Sequence, residues 1–384
     1  MMTSEHSQPL DGVRILDFTR VLAGPYATAL LADIGAEVIK IESAQGDDYR
    51  HIGPFQDDES LLFQTINRGK KSVVLDLKDA ADLERLLGLV TSCDVVVENF
   101  RPGVMERLGL GYDRLSAINP QLVYVSISGF GQTGPDASKP AYDMIVQAMS
   151  GFMEMTGEPD GSPTMCGEAI GDVAGGLFAS WSMMVALFDR TRTGKGRYID
   201  VSLLDSLMAM MPIVACRTVT AAGAPTRSGN RHALSAPFGV YPCKDGNFAI
   251  AVLNDRIFDR FLEVIGAPDL RQDARFASDE SRRTHEPELA RHIEAWAGAR
   301  PMRDVIAALN AAGVPASELR SAKEAWSSAG VVERQLATPV DHPRLGRLEI
   351  PEQPVHFSGS VRGHRRAAPA LGADQDEFFP GAEG

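Results

Sequence analysis

One aspartate in the sequence lies where a carboxylate could act as a nucleophile. Asp172 is part of the run GDVAGG, residues 171–176, at the start of a long apolar stretch. Aspartate is a common helix N-cap, and this position predicts a cap directly before a buried helix. The same position would keep a carboxylate ionised near the positive end of the helix dipole, beside glycines that leave space for a substrate. The local pattern allows both roles.

A second group of candidate residues follows a predicted strand. The run DVVV at 94–97 is followed by ENFRPG at 98–103, which places Arg101 on a loop at the carboxyl end of that strand. The proline and glycine of this run suit the start of a helix that would carry Arg107. Guanidinium groups bind phosphate oxygens through paired hydrogen bonds, so both arginines are candidate phosphate ligands. Each could equally be a surface cation, as could a further basic cluster: Arg68, Lys70 and Lys71.

Other motifs of common enzyme classes do not match. The glycine-rich run SGFGQTGP at 128–135 follows a strand, but it has neither the dinucleotide-binding spacing nor the P-loop spacing. The four cysteines and eight histidines are dispersed, without the spacing of a zinc site or a disulfide framework. The sequence therefore predicts metal-free chemistry at a site that binds neither a nicotinamide cofactor nor a nucleoside triphosphate.

Strand and helix patterns alternate along the first half of the chain. Such alternation predicts an open, parallel α/β sheet with right-handed crossovers. Ligands of these sheets bind beyond the carboxyl ends of the strands. Strands are predicted at 13–18, 37–41, 72–77, 94–97 and 122–128, and helices after Ala23-Gly24-Pro25 as far as Ile34 and at 80–90.

The second half of the sequence indicates a smaller domain. Two further helices are predicted at 173–188 and 202–216, followed by a loop rich in glycine, proline and alanine at 221–235. Residues 221–329 are predicted to form a small α+β domain, and residues 1–220, completed by about 330–384, a large α/β domain. The small domain contains a hairpin of 238–241 with 248–252 and helices at 255–265, 287–297 and 302–312.

Charge and hydropathy narrow the range of partners. The net charge of -13 repels a phosphate backbone or an anionic membrane surface, so neither nucleic acid nor a membrane is an expected partner. A few arginines in one cleft would still admit a small anionic ligand. The uncharged stretch 173–188 is shorter than a membrane span and predicts a buried helix. The polar N-terminus lacks the features of a secretory signal, which favours a cytoplasmic location.

Taken together, the motifs resemble those of the class III CoA-transferases, the family of formyl-CoA:oxalate and carnitine CoA-transferases. The resemblance covers residues from about 10 to about 357. It is carried by LDGVRILDFTRVLAGPYAT (10–28), IGAEVIKIE (34–42), NRGKKSVVLDLK (67–78), VVENFRPGVMERLGLGY (96–112), SGFGQTGP (128–135), GDVAGG (171–176) and RTRTGKGRYIDVSLLDS (190–206).

The resemblance implies a fold, a reaction and a site. It implies a Rossmann-like large domain, an interlocked homodimer, and transfer of coenzyme A from an acyl-CoA such as succinyl-CoA to a small carboxylic acid. The family's nucleophilic aspartate matches Asp172, which would pass through a mixed anhydride and an aspartyl-CoA thioester. The family's coenzyme A contacts match Leu22, Ala23, Leu75, Lys78, Asn99, Phe100, Arg101, Arg107, Tyr142 and Asp143.

The sequence departs from the family pattern at several points. Ser43 replaces an arginine that binds the nucleotide in the oxalate enzyme, and Pro140 replaces a lysine. The glycine-rich loop that covers the oxalate enzyme's site has no counterpart after Tyr241, so oxalate is not the expected acceptor. The related α-methylacyl-CoA racemases have a general-base histidine where this chain has Tyr142. Because tyrosine is a poor base at neutral pH, transfer is favoured over racemisation. A CoA-binding subunit without catalysis is the third alternative.

Overall fold

The computed structural model describes residues 8–220, 226–363 and 366–380. These residues fall into two compact units. The first comprises the described residues of Met1–Phe152, Met165–Ala215 and Val332–Gly384, and the second those of Met153–Thr164 and Cys216–Val331. The first part of the predicted glycine-rich loop, 221–225, lies outside the described residues.

The strands form one large sheet and two short hairpins in the first unit, and a three-stranded sheet in the second. The described strands are β1 (Arg14–Asp17), β2 (Glu37–Glu42), β3 (Phe55–Gln56), β4 (Glu59–Ser60), β5 (Lys71–Val74), β6 (Val95–Glu98), β7 (Val123–Ser128), β8 (Tyr198–Ser202), β9 (Phe238–Cys243), β10 (Gly246–Ala251), β11 (Ala316–Glu318), β12 (Ala337–His342) and β13 (Gly346–Pro351). The six-stranded sheet has the order β5-β2-β1-β6-β7-β8, and all of its strands are parallel. The predicted parallel α/β sheet is confirmed.

Helices of the first unit connect the parallel strands and cover both faces of the large sheet, and the remaining helices belong to the second unit. The described α-helices are α1 (Ala23–Ala32), α2 (Leu61–Ile66), α3 (Ala80–Val90), α4 (Val104–Arg107), α5 (Tyr112–Ile118), α6 (Asp143–Met149), α7 (Phe152–Met155), α8 (Ile170–Thr193), α9 (Leu203–Ala209), α10 (Pro212–Val219), α11 (Asp255–Ile265), α12 (Asp279–Thr284), α13 (Glu286–Ala297), α14 (Met302–Ala311), α15 (Ala322–Trp326), α16 (Ala329–Glu333) and α17 (Gln375–Phe378).

Two apolar layers hold the large sheet between its helices. Successive side chains of a strand point to opposite faces, and in β6 Val95 and Val97 belong to one core cluster while Val96 belongs to the other. The first cluster includes residues of α1, α8 and α9, and the second includes residues of α3 and α5. Both faces are covered, which is the usual arrangement of a parallel sheet.

In the first unit, one predicted helix is wrong and one strand was missed. The predicted helix 202–216 is two helices, α9 and α10, because Pro212 cannot continue the hydrogen bonding of the preceding turn. Strand β8 was not predicted, because Asp200 interrupts its short apolar run and three of its five side chains are not buried. Its pairing with β7 places it at the edge of the sheet.

The longest described helix, α8, packs into the first core cluster. By length and composition alone it is the one helix of the described residues that could cross a membrane. Its small residues Gly175, Gly176 and Ala179 are buried, with Gly175 facing Leu203 and Gly176 facing Ala23. The predicted helix at 173–188 is present, extended at both ends to Ile170–Thr193, but it is buried on one side only and exposes Trp181 and Phe188 on the other.

The second unit has its own sheet and its own core. Strands β9 and β10 form the predicted antiparallel hairpin, and β11 pairs with β10 on the other side. Helices α11, α13 and α14 supply apolar residues to one cluster with this sheet, including Phe261, Ile293 and Leu309. The three helices match the predicted segments 255–265, 287–297 and 302–312 closely.

Candidate active site

A cavity lies where the strand order of the large sheet reverses. From β1 the chain continues to β2 and β5 on one side, and then returns to β6 on the other side of β1. The loops after β1 and β6 therefore separate at their carboxyl ends, which is where open α/β sheets bind ligands. The cavity at this point has a volume of about 300 Å³.

Six segments distant in sequence supply the walls of this cavity. They are the loop after β1, the turn at Asp48, the loop after β6, the end of β7 with the segment before α6, the first turn of α8, and the start of α9. The lining residues are Arg20, Val21, Leu22, Ala23, Asp48, Asn99, Phe100, Arg101, Pro102, Ile127, Ser128, Gly129, Ala137, Lys139, Pro140, Ala141, Tyr142, Asp172 and Leu203.

Asp172 lies in the first turn of α8 and not directly before it. The helix begins at Ile170, with Ala169 at the N-cap position, so the predicted capping role of Asp172 is wrong. The carboxylate still lies near the positive end of the helix dipole. Because its side chain is free of a capping duty, it can face a substrate in the cavity.

The cap of α8 comes instead from another helix. Asp143, the first residue of α6, accepts hydrogen bonds at Oδ1 from the backbone N–H of Gly171 at 2.7 Å and of Asp172 at 3.4 Å. Its Oδ2 accepts a hydrogen bond from Nε2 of the buried Gln147 at 2.7 Å. Asp143 thus fixes the first turn of α8, and with it the position of Asp172.

The environment of Asp172 disfavours its charge in the free protein. Burial, and second the negative charge of Asp143, raise the pKa of Asp172 to about 7. The expectation that the helix dipole keeps this carboxylate fully ionised is therefore wrong near neutral pH. Burial and the charge of Asp172 also raise the pKa of Tyr49 to about 12, so this phenol remains a hydrogen-bond donor.

Three glycines allow the walls of the cavity to approach one another. A Cβ atom on Gly176 would lie 2.7 Å from the carbonyl oxygen of Ala23, and one on Gly175 would lie 2.2 Å from Cδ2 of Leu203. A Cβ atom on Gly129 would lie 2.2 Å from Cβ of Ala141. The glycines of GDVAGG therefore serve the close packing of α8 against α1 and α9.

The structure brings seven of the predicted site residues to this cavity and leaves four outside its walls. Leu22, Ala23, Asn99, Phe100, Arg101, Tyr142 and Asp172 line it. Leu75 is buried in the second core cluster, and Lys78 and Arg107 are exposed outside the cavity. Asp143 binds the first turn of α8 and does not line the cavity.

Several lining residues had not been predicted from the sequence. Arg20 and Lys139 contribute cationic side chains, each paired with a carboxylate: Arg20 with Asp48 at 2.8 Å and Lys139 with Asp136 at 2.5 Å. Ser128 contributes a buried hydroxyl that has no hydrogen-bond partner among the described residues. The glycine-rich run after β7 could have indicated Ser128, because it follows the strand end directly.

The profile of CoA-transferase family III matches residues 10–375, nearly the whole chain. The chain belongs to this family. It is an enzyme that transfers coenzyme A, and the predicted resemblance is confirmed.

Named relatives of this transferase act on different acids. It is 44% identical to the acetyl-CoA:oxalate CoA-transferase of Acetobacter aceti, over 94% of this chain and 93% of the relative. It is 38% identical to the succinyl-CoA:glutarate CoA-transferase of Mus musculus, over 95% of this chain and 84% of the relative.

Solved structures agree with this assignment. A CaiB/BaiF family protein from Brucella suis superimposes with a TM-score of 0.84 at 34% identity, covering 97% of this chain and 100% of that one. A Mycobacterium tuberculosis protein superimposes with a TM-score of 0.87 at 30% identity, covering 97% and 99% of the two chains.

Proposed function

We propose that the transferase carries the acyl group and then coenzyme A on Asp172. The carboxylate attacks the carbonyl carbon of the acyl-CoA, which releases the CoA thiolate and leaves a mixed anhydride. The thiolate then attacks the aspartyl carbonyl, which releases the donor acid and leaves an aspartyl-CoA thioester. The acceptor carboxylate repeats these two steps in reverse, so that acceptor-CoA leaves and Asp172 is regenerated.

The placement of Asp172 carries this proposal. Of the two carboxylates that line the cavity, Asp48 is paired with Arg20, whereas Asp172 caps no helix and forms no ion pair within the described part of the chain. Two backbone N–H groups of its helix turn are fixed by Asp143. A nucleophile on a rigid turn beside an open cavity meets the geometric demand of covalent catalysis.

Coenzyme A is larger than this cavity, so only part of it would enter. Pockets of ~300–1,000 Å³ hold drug-sized ligands. We place the thioester end near Asp172, with Leu22, Ala23, Asn99, Phe100 and Tyr142 around it. Arg101 would bind a phosphate at the rim. Contacts to the exposed Lys78 and Arg107 would then come from the nucleotide end, outside the cavity walls, while Asp143 acts through α8. The side chain of Leu75 is buried in the core and is not available for such a contact.

Small dicarboxylic acids are the proposed acceptors and acyl groups. Oxalate and glutarate are named for the two relatives above, and both are dicarboxylates. The missing glycine-rich loop after Tyr241 had argued against oxalate, but the identity of 44% to an oxalate enzyme returns oxalate to the candidates. Two cations of the cavity, Arg20 and Lys139, could hold the carboxylate that does not react.

A panel of acids tests the proposed reaction. We expect the transferase to form new CoA thioesters from succinyl-CoA or acetyl-CoA with oxalate, glutarate, mesaconate, citramalate or itaconate, detected by mass spectrometry. Hydroxylamine added during turnover should convert Asp172 into a hydroxamate, found in a single peptide. Exchange of deuterium at the substrate α-carbon, without modified enzyme, would instead identify a racemase. An exposed Tyr142 at the cavity, in place of a histidine, argues against that outcome.

We further propose that the transferase is a homodimer, interlocked as the family resemblance implies. One face of α8 exposes large apolar side chains at intervals of three or four residues: Leu177, Trp181, Val185 and Phe188. This spacing forms a continuous stripe on a helix. A stripe of this kind that is not covered by its own chain is typical of a protein–protein interface.

Replacing Trp181 by glutamate should disrupt the dimer. Trp181 is 64% exposed in the single chain, so the change leaves the core of the subunit intact. A buried, unpaired carboxylate at an interface costs several kcal/mol. Because interlocked subunits do not separate while folded, this cost should prevent the two chains from assembling as they fold. Light scattering coupled to size exclusion measures the mass. Leu253, 61% exposed on the second unit, provides the control as Leu253→Glu. A variant that remains dimeric would remove α8 from the interface.

A further inference from the structure

The loop that follows β1 combines strained backbone with a position in the active-site wall. Val21 lines the cavity and has φ +69°, a left-handed conformation that a β-branched residue rarely adopts. Such strain persists only where the surrounding structure over-determines the backbone, and it is most common at functional sites. The hydrogen bonds around this loop show what holds it.

Asn99 holds the centre of the loop from the neighbouring strand end. Its Oδ1 accepts a hydrogen bond from the backbone N–H of Arg20 at 2.9 Å, and its Nδ2 donates one to the carbonyl oxygen of Arg20 at 2.8 Å. The loops after β1 and β6, the two walls at the reversal of strand order, are thereby joined. This contact leaves the residues on either side of Arg20 to be fixed by other groups.

A buried ion pair fixes those two flanking residues. Nζ of Lys40 lies 2.8 Å from Oδ2 of Asp47, and both side chains are fully buried. Lys40 Nζ also donates to the carbonyl oxygen of Thr19 at 2.7 Å, while Asp47 Oδ1 accepts from the backbone N–H of Val21 at 3.1 Å. The two members of the pair therefore hold the backbone immediately before and after Arg20.

The same pair also positions a second wall of the cavity. Asp47 caps the 3₁₀ turn Asp48–His51, because its Oδ1 accepts a hydrogen bond from the backbone N–H of Tyr49 at 3.0 Å. Asp48 lines the cavity and binds the guanidinium group of Arg20 at 2.8 Å. One carboxylate thus fixes the backbone of both partners of the Arg20–Asp48 pair.

A stability role alone does not explain this arrangement. Apolar residues of similar volume are often as stabilising as a buried ion pair, or more so, because both charges lose their hydration. The distinctive property of Lys40 and Asp47 is the geometry that they impose on Thr19, Val21 and Tyr49. We propose that Lys40 and Asp47 are positioning residues for the transfer reaction, an inference that rests on the proposed reaction at this cavity.

Two double variants separate positioning from stability. Lys40→Met with Asp47→Leu removes both charges and all of these hydrogen bonds, and avoids leaving one buried charge unpaired. Lys40→Met with Asp47→Asn removes the charges but keeps an oxygen for Val21 and Tyr49. We expect kcat/KM to fall at least about tenfold in the leucine variant, with most of the loss recovered in the asparagine variant.

A matched control uses another buried ion pair of the same unit. Arg68 binds Asp33 at 2.6 Å, with both side chains buried and neither in the cavity wall. Arg68→Met with Asp33→Leu should lower thermal stability without changing kcat/KM. A folded leucine variant with wild-type kcat/KM would overturn the proposal, as would a loss of activity equal to that of the control.

Hydrogen exchange reads the loop without any turnover. The amides of Val21 and Tyr49, which donate hydrogen bonds to Asp47 Oδ1, should exchange at least about tenfold faster in the leucine variant than in the wild type or in the control. Should the leucine variant not fold, Lys40→Met with Asp47→Ala, which removes the same hydrogen bonds with a smaller side chain, takes its place. Unchanged exchange at these amides overturns the positioning role, whereas wild-type protein that transfers no CoA overturns the proposed function alone.

Discussion

Asp172→Ala is expected to reduce CoA transfer by about 10³-fold or more, because the variant has no carboxylate to form the acyl and CoA intermediates. Affinity for CoA should change by no more than a few fold. The residue acts on the thioester carbon, and the proposed contacts to the rest of CoA come from other loops. Steady-state rates, with CoA binding measured by calorimetry, give the two quantities on one protein preparation.

The control for this variant is its folding. Asp143 caps α8 from across the site, so loss of the Asp172 side chain leaves the hydrogen bond to Gly171 in place. Circular dichroism and melting temperature should therefore remain close to the wild type. An unfolded variant would restore the capping role for Asp172, and a folded variant that still transfers CoA would exclude it as the nucleophile.

The pH dependence of kcat/KM should have an acid limb set by Asp172. Only the ionised carboxylate attacks, and its pKa in the free protein is raised to about 7. Below that value kcat/KM should fall about tenfold per pH unit, since this ratio reports the free enzyme. Rates measured between about pH 5 and pH 9 with one acyl-CoA establish the midpoint.

Asp143→Asn should move that midpoint to lower pH. The change removes a negative charge that disfavours ionisation of Asp172, and asparagine keeps an oxygen for the N–H of Gly171. Burial is the larger cause of the raised pKa, so the midpoint should remain above that of an ordinary aspartate. Glu84→Gln, on the exposed face of α3, is the control. A midpoint that moves equally in both variants, or in neither, would contradict this coupling.

Two neighbouring carboxylates with different duties would suit the proposed role of Asp172 as a nucleophile. Both oxygens of Asp143 already accept hydrogen bonds from the protein, whereas Asp172 faces the cavity from a buried turn. Such an environment raises the pKa of one carboxyl group and makes its carboxylate more nucleophilic near neutral pH. The positioning of these groups therefore contributes to reactivity as well as to structure.

Local sequence patterns were sufficient for most of the secondary structure and for the family. Short apolar runs predicted five of the six strands of the large sheet: β1, β2, β5, β6 and β7. A strand buried on both faces needs nearly continuous apolar residues, which makes such runs visible in the sequence. Helix α11 spans Asp255–Ile265, the range predicted from the sequence, and Gly266 follows at its C-cap. The edge strand β8 was missed because the solvated half of such a strand carries no apolar signal.

The sequence by itself determined the parallel sheet, the motif that holds Asp172 and the family to which the chain belongs. Only the tertiary structure decided which residues meet at the cavity, because contacts between residues far apart in the chain leave no local periodicity. Asp143 reaches the first turn of α8 across 28 positions of sequence, and Asn99 reaches Arg20 across 79. Tertiary packing also buries Asp172 in the first turn of α8 beside Asp143, which raises its pKa, where the local pattern had indicated a helix cap.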